Sequence, residues 1–207
     1  MPINRNRGPH FFSRKPEFFS IFFTNQKAKE KNVLVTSGPT LDRLRVIANR
    51  LIPQTKEFRD DTRQWDWRLT LIDAPILNAT CAPGGKITFY TGIIEKLNLS
   101  DDEIAAIMGH EIAHALREHG RERVSQAMAQ KLAVNVAMAA AGGYGSAVSA
   151  ANQVAYYVFV LPNSRENESE ADAIGLELAA RAGYNPAGAI TVWQKMIKAN
   201  QGKSAPD

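Results

Sequence analysis

Cysteine is nearly absent, with Cys81 the one thiol in 207 residues. That excludes an intramolecular disulfide, a Cys-rich zinc finger and an iron–sulfur cluster, so any bound metal must rest on histidine and carboxylate. Histidine is scarce as well: His10, His110, His114 and His119 are all the chain has. Long apolar runs near the start are also missing. The stretch Phe18-Phe19-Ser20-Ile21-Phe22-Phe23 is short and follows Glu17, which does not make a secretory leader, and no cysteine near the start offers a lipoprotein signal. Acidic charge is thin at the start of the chain. Residues 1–31 carry a net +5 of the chain's formal +4, leaving the remaining residues at −1. The basic pI of about 9.2 therefore belongs to the N-terminal segment, and nucleic acid is not expected as a partner of the folded body.

What is present fits one globular domain. The chain is 44% hydrophobic and 22% charged, near the average for a protein with a packed core. Residues 1–37, rich in Pro, Arg, Lys and Asn around the phenylalanines, are expected to be a disordered basic segment. Residues 38–200 form the domain, and 201–207 a disordered tail. No internal repeat is visible.

Periodic structure begins after Gly38-Pro39. Leu41, Leu44, Ile47, Ala48 and Leu51 recur at helical spacing, with Thr40 available as N-cap and Pro53 beyond the end, giving a helix over 41–52. Residues 65–73 read as a strand, 78–85 as a turn-rich loop and 86–90 as a second strand, followed by a short helix ending near Leu97. Ser100 and Glu103 form a capping box at the start of a helix expected to reach about Gly120. Ala-rich helical sequence follows over 124–141, then a glycine break and a helix over 146–160. Residues 132–164 contain no charged side chain. Three glycines and Asn135, Asn152 and Gln153 interrupt that stretch, which reads as a buried or partner-facing helical pair rather than a membrane hairpin. Asn163 or Ser164 can cap a helix through Arg181, and Pro186 opens a last helix to about Asn200. The fold class is α+β, predominantly helical with a small sheet.

The chemistry concentrates in His110-Glu111-Ile112-Ala113-His114, an HExxH within the capped helix. Side chains four apart share a helix face, so both imidazoles can reach one ion, while Glu111 stands aside as an adjacent base. A catalytic zinc takes three protein ligands and leaves one position for water. On an unbroken helix His119 points away from the ligand face and reads as a surface or supporting histidine. The third ligand is then expected to be a carboxylate from Ser164-Arg165-Glu166-Asn167-Glu168-Ser169-Glu170-Ala171-Asp172. Glu168 and Asp172 share one face beside Ala171 and Gly175, small residues that permit close helix approach, while Glu166 and Glu170 share another. Spacing leaves both Glu168 and Glu170 open as the ligand.

These two segments, with Asn78-Ala79 to Pro83-Gly84-Gly85-Lys86-Ile87 and Tyr90-Thr91-Gly92-Ile93, resemble the HtpX and CAAX prenyl endopeptidase family of zinc metallopeptidases, especially its soluble bacterial periplasmic and lipoprotein branch. The resemblance spans about residues 38–200. It implies a mostly helical metallopeptidase domain with one zinc per chain and a sheet edge near Asn78 to Tyr90 that can pair with substrate backbone. It also implies Glu168 as third zinc ligand beside His110 and His114, with Asp172 orienting a ligating histidine and Glu111 as general base. The implied activity is endopeptidic cleavage of protein substrates, in envelope protein quality control, with membrane association. Tyr156, Tyr157 and Arg165 stand as candidates for stabilising the oxyanion. Relatives are expected to carry an export signal and a C-terminal His-Pro segment that this sequence does not show. Two other readings compete: a metal-binding, weakly active chaperone or adaptor of the same fold, and a nucleic-acid or membrane-surface binder acting through residues 1–31.

Overall fold

The computed structural model describes residues 32–140 and 164–201. A short strand β1 (Leu34–Val35) precedes helix α1 (Pro39–Leu51). Two 3-10 turns, Ile52–Glu57 and Asp60–Gln64, lead into β2 (Arg68–Ile72), β3 (Ala79–Ala82) and β4 (Lys86–Tyr90). Four helices then follow among the described residues after a short α2 (Thr91–Lys96): α3 (Asp101–Leu116), α4 (His119–Ala140), α5 (Arg165–Arg181) and α6 (Gly188–Gln201). The α+β class is thus as expected, a helical body carrying a small mixed sheet.

The sheet order is β1-β2-β4-β3. β2 and β4 run parallel with Leu69 opposite Ile87 and Leu71 opposite Phe89, while β3 lies antiparallel to β4 with Cys81 opposite Ile87. β3 is therefore an edge strand, and it packs against α3. The turn-rich reading of 78–85 missed it because Ala79-Thr80-Cys81-Ala82 has little β-propensity of its own. Pairing with β4 and cover by α3 make it a strand. β1 corrects the expected domain start at 38, since Leu34 pairs with Ile72 and Val35 with Leu71.

α3 is the central element. Residues on every side of it are buried, among them Ile104, Ala105, Met108, Gly109, Ile112, Ala113 and Leu116, as expected of a helix enclosed by other layers. Leu44, Ile47 and Leu51 of α1, Phe89 of β4, Ile93 of α2, Leu178 of α5 and Met196 of α6 share its core. At its start the expected capping box is present: Ser100 Oγ accepts from the Glu103 backbone N–H, and the Glu103 carboxylate accepts from Ser100 N–H at 2.7 Å. α1 begins two residues earlier than a Thr40 cap allows. Pro39 occupies the first turn, where its missing N–H costs nothing, and Gly38 caps at φ 120°. α6 starts at Gly188 because Asn185 and Pro186 are engaged in a turn, with the Asn185 side chain accepting from Ala187 N–H.

No helix among the described residues is long and apolar enough to cross a membrane. The helix expected over 146–160, Tyr156, Tyr157, residues 1–31 and residues 202–207 lie outside the described residues.

Candidate active site

His110, Glu111 and His114 are delivered by α3, and Glu168 and Asp172 by α5. The two helices make the most extensive helix pair of the fold. Two glycines permit it. A Cβ on Gly109 would sit 2.6 Å from the carbonyl oxygen of Gly175, and a Cβ on Gly175 would sit 2.6 Å from the backbone nitrogen of His110. Gly175 was legible as a small residue beside the acidic pair; its counterpart Gly109 was not, because nothing local marks which glycine will meet another helix. Ser164 caps α5 by accepting from Asn167 N–H, fixing the register that turns Glu168 and Asp172 toward α3.

The donor atoms form a small triangle. His110 Nε2 and His114 Nε2 lie 3.0 Å apart, and the Glu168 carboxylate closes the triangle with Oε2 3.5 Å from His110 Nε2 and Oε1 3.5 Å from His114 Nε2. Ligands about 2 Å from a tetrahedral zinc are separated by about 3.3 Å, so this triangle has the size of one face of such a site. His110, His114 and Glu168 are also the one group of His, Cys, Asp and Glu among the described residues placed to hold a metal ion. The two imidazole nitrogens and the carboxylate make a two-histidine, one-glutamate donor set that suits zinc.

Asp172 stands behind the first histidine, its Oδ1 2.8 Å from His110 Nδ1. Burial works against a charge on His110, but Asp172 and Glu168, with Glu111 adding, outweigh it and raise the imidazole's pKa. His114 moves the other way, pushed down by burial and by the neighbouring His110. Negative charge is thus concentrated around the two imidazoles, an arrangement that suits a cation. Glu111 is buried at 7% exposure. Desolvation, and after it the Glu111 carboxylate, raise the Cys81 thiol above its ordinary pKa, and the helix that carries Glu111 packs against β3.

His119 departs from its expected place. It is 2% exposed, with its ring against His114 rather than turned away. The expectation assumed one helix to about Gly120. Instead α3 ends at Leu116, Glu118 adopts φ 56°, and α4 begins at His119, which folds that side chain back under the site. Arg59 and Arg121 hold the Glu118 carboxylate at 2.8 and 3.0 Å. Glu170, the alternative ligand, accepts from His119 and from Arg117 and is not at the donor triangle. Glu166 is exposed, and so is Arg165 at the first position of α5.

An HExxH helix crossed by a second helix that supplies a glutamate, beside a small sheet, defines a metallopeptidase domain. The chain belongs to peptidase family M48, whose model matches residues 40–205. It is similar to the mitochondrial metalloendopeptidase OMA1 of Arabidopsis thaliana, 36% identical over 136 residues covering 64% of this chain and 26% of that protein. It is 34% identical over 133 residues to the protein of the same name in Saccharomyces cerevisiae, covering 63% and 37%. To the metalloprotease LoiP of Escherichia coli it is 31% identical over 132 residues, covering 62% and 51%. The chain spans between about a quarter and a half of the length of these relatives. The expected resemblance therefore holds at the level of the family, through relatives of OMA1 and LoiP type rather than HtpX or CAAX prenyl endopeptidases.

Proposed function

We propose that this domain is a zinc-dependent endopeptidase that hydrolyses peptide bonds in protein substrates. The observation that carries the reading is the donor triangle of His110, His114 and Glu168 with Glu111 buried nearby and β3 an edge strand among the described residues. His110, His114 and Glu168 would hold the ion, which when bound lowers the pKa of a water and polarises the scissile carbonyl. Glu111 takes the proton of the attacking water on its carboxylate and returns it to the departing amine nitrogen. Asp172 accepts the Nδ1 hydrogen of His110 and so keeps Nε2 free as a donor. β3 offers its outer backbone groups to an extended substrate, fixing which peptide bond lies over Glu111.

Names of the relatives support the endopeptidase reading, one of them a mitochondrial metalloendopeptidase and one a bacterial metalloprotease; the bacterial cell envelope is the setting proposed for this chain. Protein quality control there, with membrane association, is the biological form of the proposal. The test is cleavage of unfolded casein by the wild type and by Glu111→Gln, with bound zinc measured in both. Zinc near one per chain in each, with cleavage lowered about 10²–10⁴-fold in the variant, is expected. Equal cleavage by the two proteins overturns the enzyme reading, and zinc bound without cleavage in the wild type favours the adaptor.

A further inference from the structure

The proposed mechanism gives His119 and Glu170 no task, yet the fold spends a helix break and a buried imidazole on them. His119 Nδ1 lies 2.9 Å from His114 Nδ1, and His119 Nε2 lies 2.9 Å from Glu170 Oε2. Arg117 Nε holds the other Glu170 oxygen at 2.7 Å. Two ring nitrogens facing across a hydrogen bond need one hydrogen between them, and here the assignment follows from the rest of the site. His114 turns Nε2 toward His110 and Glu168, so as a neutral metal ligand it carries its hydrogen on Nδ1. His119 Nδ1 is then an acceptor, its own hydrogen sits on Nε2, and Glu170 accepts it. Every polar atom along the line has one consistent role, ending on a carboxylate tied to a guanidinium.

We infer that His119 and Glu170 are positioning residues that fix the ring plane and the Nδ1–H tautomer of His114 through a two-step relay, as Asp172 does in one step for His110. This rests on the proposed role of His114 as a metal ligand. The relay explains why α3 stops at Leu116. Continued helix would carry residue 119 around to the far side of α3, whereas the Arg117–Glu118 turn with Glu118 at φ 56° brings it back beneath His114. Arg117 and Glu118 in that turn then share the work: one anchors Glu170 and the other is pinned by Arg59. The two ligating histidines are thereby oriented from two helices, α5 alone for His110 and the start of α4 together with α5 for His114.

The experiment strips the full chain of metal and titrates it with Zn²⁺ against a chromophoric chelator, for wild type, His119→Leu, His119→Gln and Glu170→Gln. Circular dichroism checks that each is folded. His119→Leu should weaken zinc binding about 10–100-fold, the usual cost of losing the partner of a ligating histidine. His119→Gln should recover most of it, because an amide oxygen accepts from His114 Nδ1–H while its NH₂ donates to Glu170. Glu170→Gln should fall between them. With Co²⁺ in place of zinc, the visible ligand-field bands should shift in His119→Leu and return in His119→Gln. Equal affinity in wild type and His119→Leu overturns the relay, as does equal loss in the Leu and Gln variants, which is the mark of packing alone. If His119→Leu does not fold, Glu170→Gln and His119→Gln decide, the first expected to lose affinity and the second to keep it. A wild type that binds no zinc overturns the metal reading itself.

Discussion

Asp172 and Glu170 belong to the same acidic stretch as Glu168, but their partners separate them completely. Glu168 alone reaches both Nε2 atoms, at 3.5 Å each, while Asp172 takes His110 from behind and Glu170 takes His119. Replacing a ligand removes a bond to the ion, whereas replacing a supporting carboxylate only loosens the ligand it holds. Glu168→Gln is therefore expected to lose zinc nearly completely, and Asp172→Ala to weaken it about 10–100-fold, both read by chelator competition. Should Glu170→Gln prove more damaging than Glu168→Gln, the ligand assignment is wrong. Spacing could not make this choice, since both glutamates lie near the start of one helix and differ only in which face meets α3.

The crossing of α3 and α5 is the element on which the site depends. A methyl on Gly175 meets backbone at 2.6 Å, and backbone cannot rotate away as a flexible side chain can. Gly175→Ala should destabilise the fold by about 1–3 kcal/mol and lower zinc affinity together, because α5 must shift and carry Glu168 with it. Thermal melts and zinc titration on one preparation check the pair. At the other end of α3, Glu103 is 3% exposed and bonded to Ser100 N–H and to the Lys195 ammonium at 2.7 Å. Burial opposes its ionisation, but Lys195, Ser100 and Thr191 hold its pKa below the ordinary carboxylate value. A depressed folded pKa adds stability above the unfolded pKa and loses it as pH falls through the folded one. Wild type should thus exceed Glu103→Gln by about 1 kcal/mol near neutral pH, with the gap closing on acidification, as melts between pH 7 and pH 3 would show. If the gap stays constant with pH, the charge on Glu103 contributes nothing.

Over the whole molecule, the proposed ion joins parts of the chain that are far apart in sequence. His110 and His114 sit on α3, while Glu168 sits on α5 beyond the charge-free stretch. A ligand that binds only the folded state stabilises it by mass action, about 4 kcal/mol at a free concentration 1,000 times the dissociation constant. Zinc should raise the melting temperature and chelation should lower it, and both responses should vanish in Glu168→Ala. A metal-free protein as stable as the loaded one would show that the triangle is not a structural link.

How much of this was legible depends on how local the cause was. The capping box, β4 and the HExxH face were readable because each is set by neighbours within about one helical turn or one strand. β3 was not, since its small residues acquire strand geometry from β4 on one side and α3 beneath. The end of α3 was not either: Arg117-Glu118 carries no glycine or proline, and the positive φ at Glu118 accompanies ion pairs to Arg59, far away in the chain, and to Arg121. By itself, then, the sequence determined which two histidines and which glutamate share one helix, because helical periodicity is a property of the backbone. Only the tertiary structure decided which acidic residue completes the triangle and that His119 lies beneath it, because both depend on how closely two helices can approach and where a third begins.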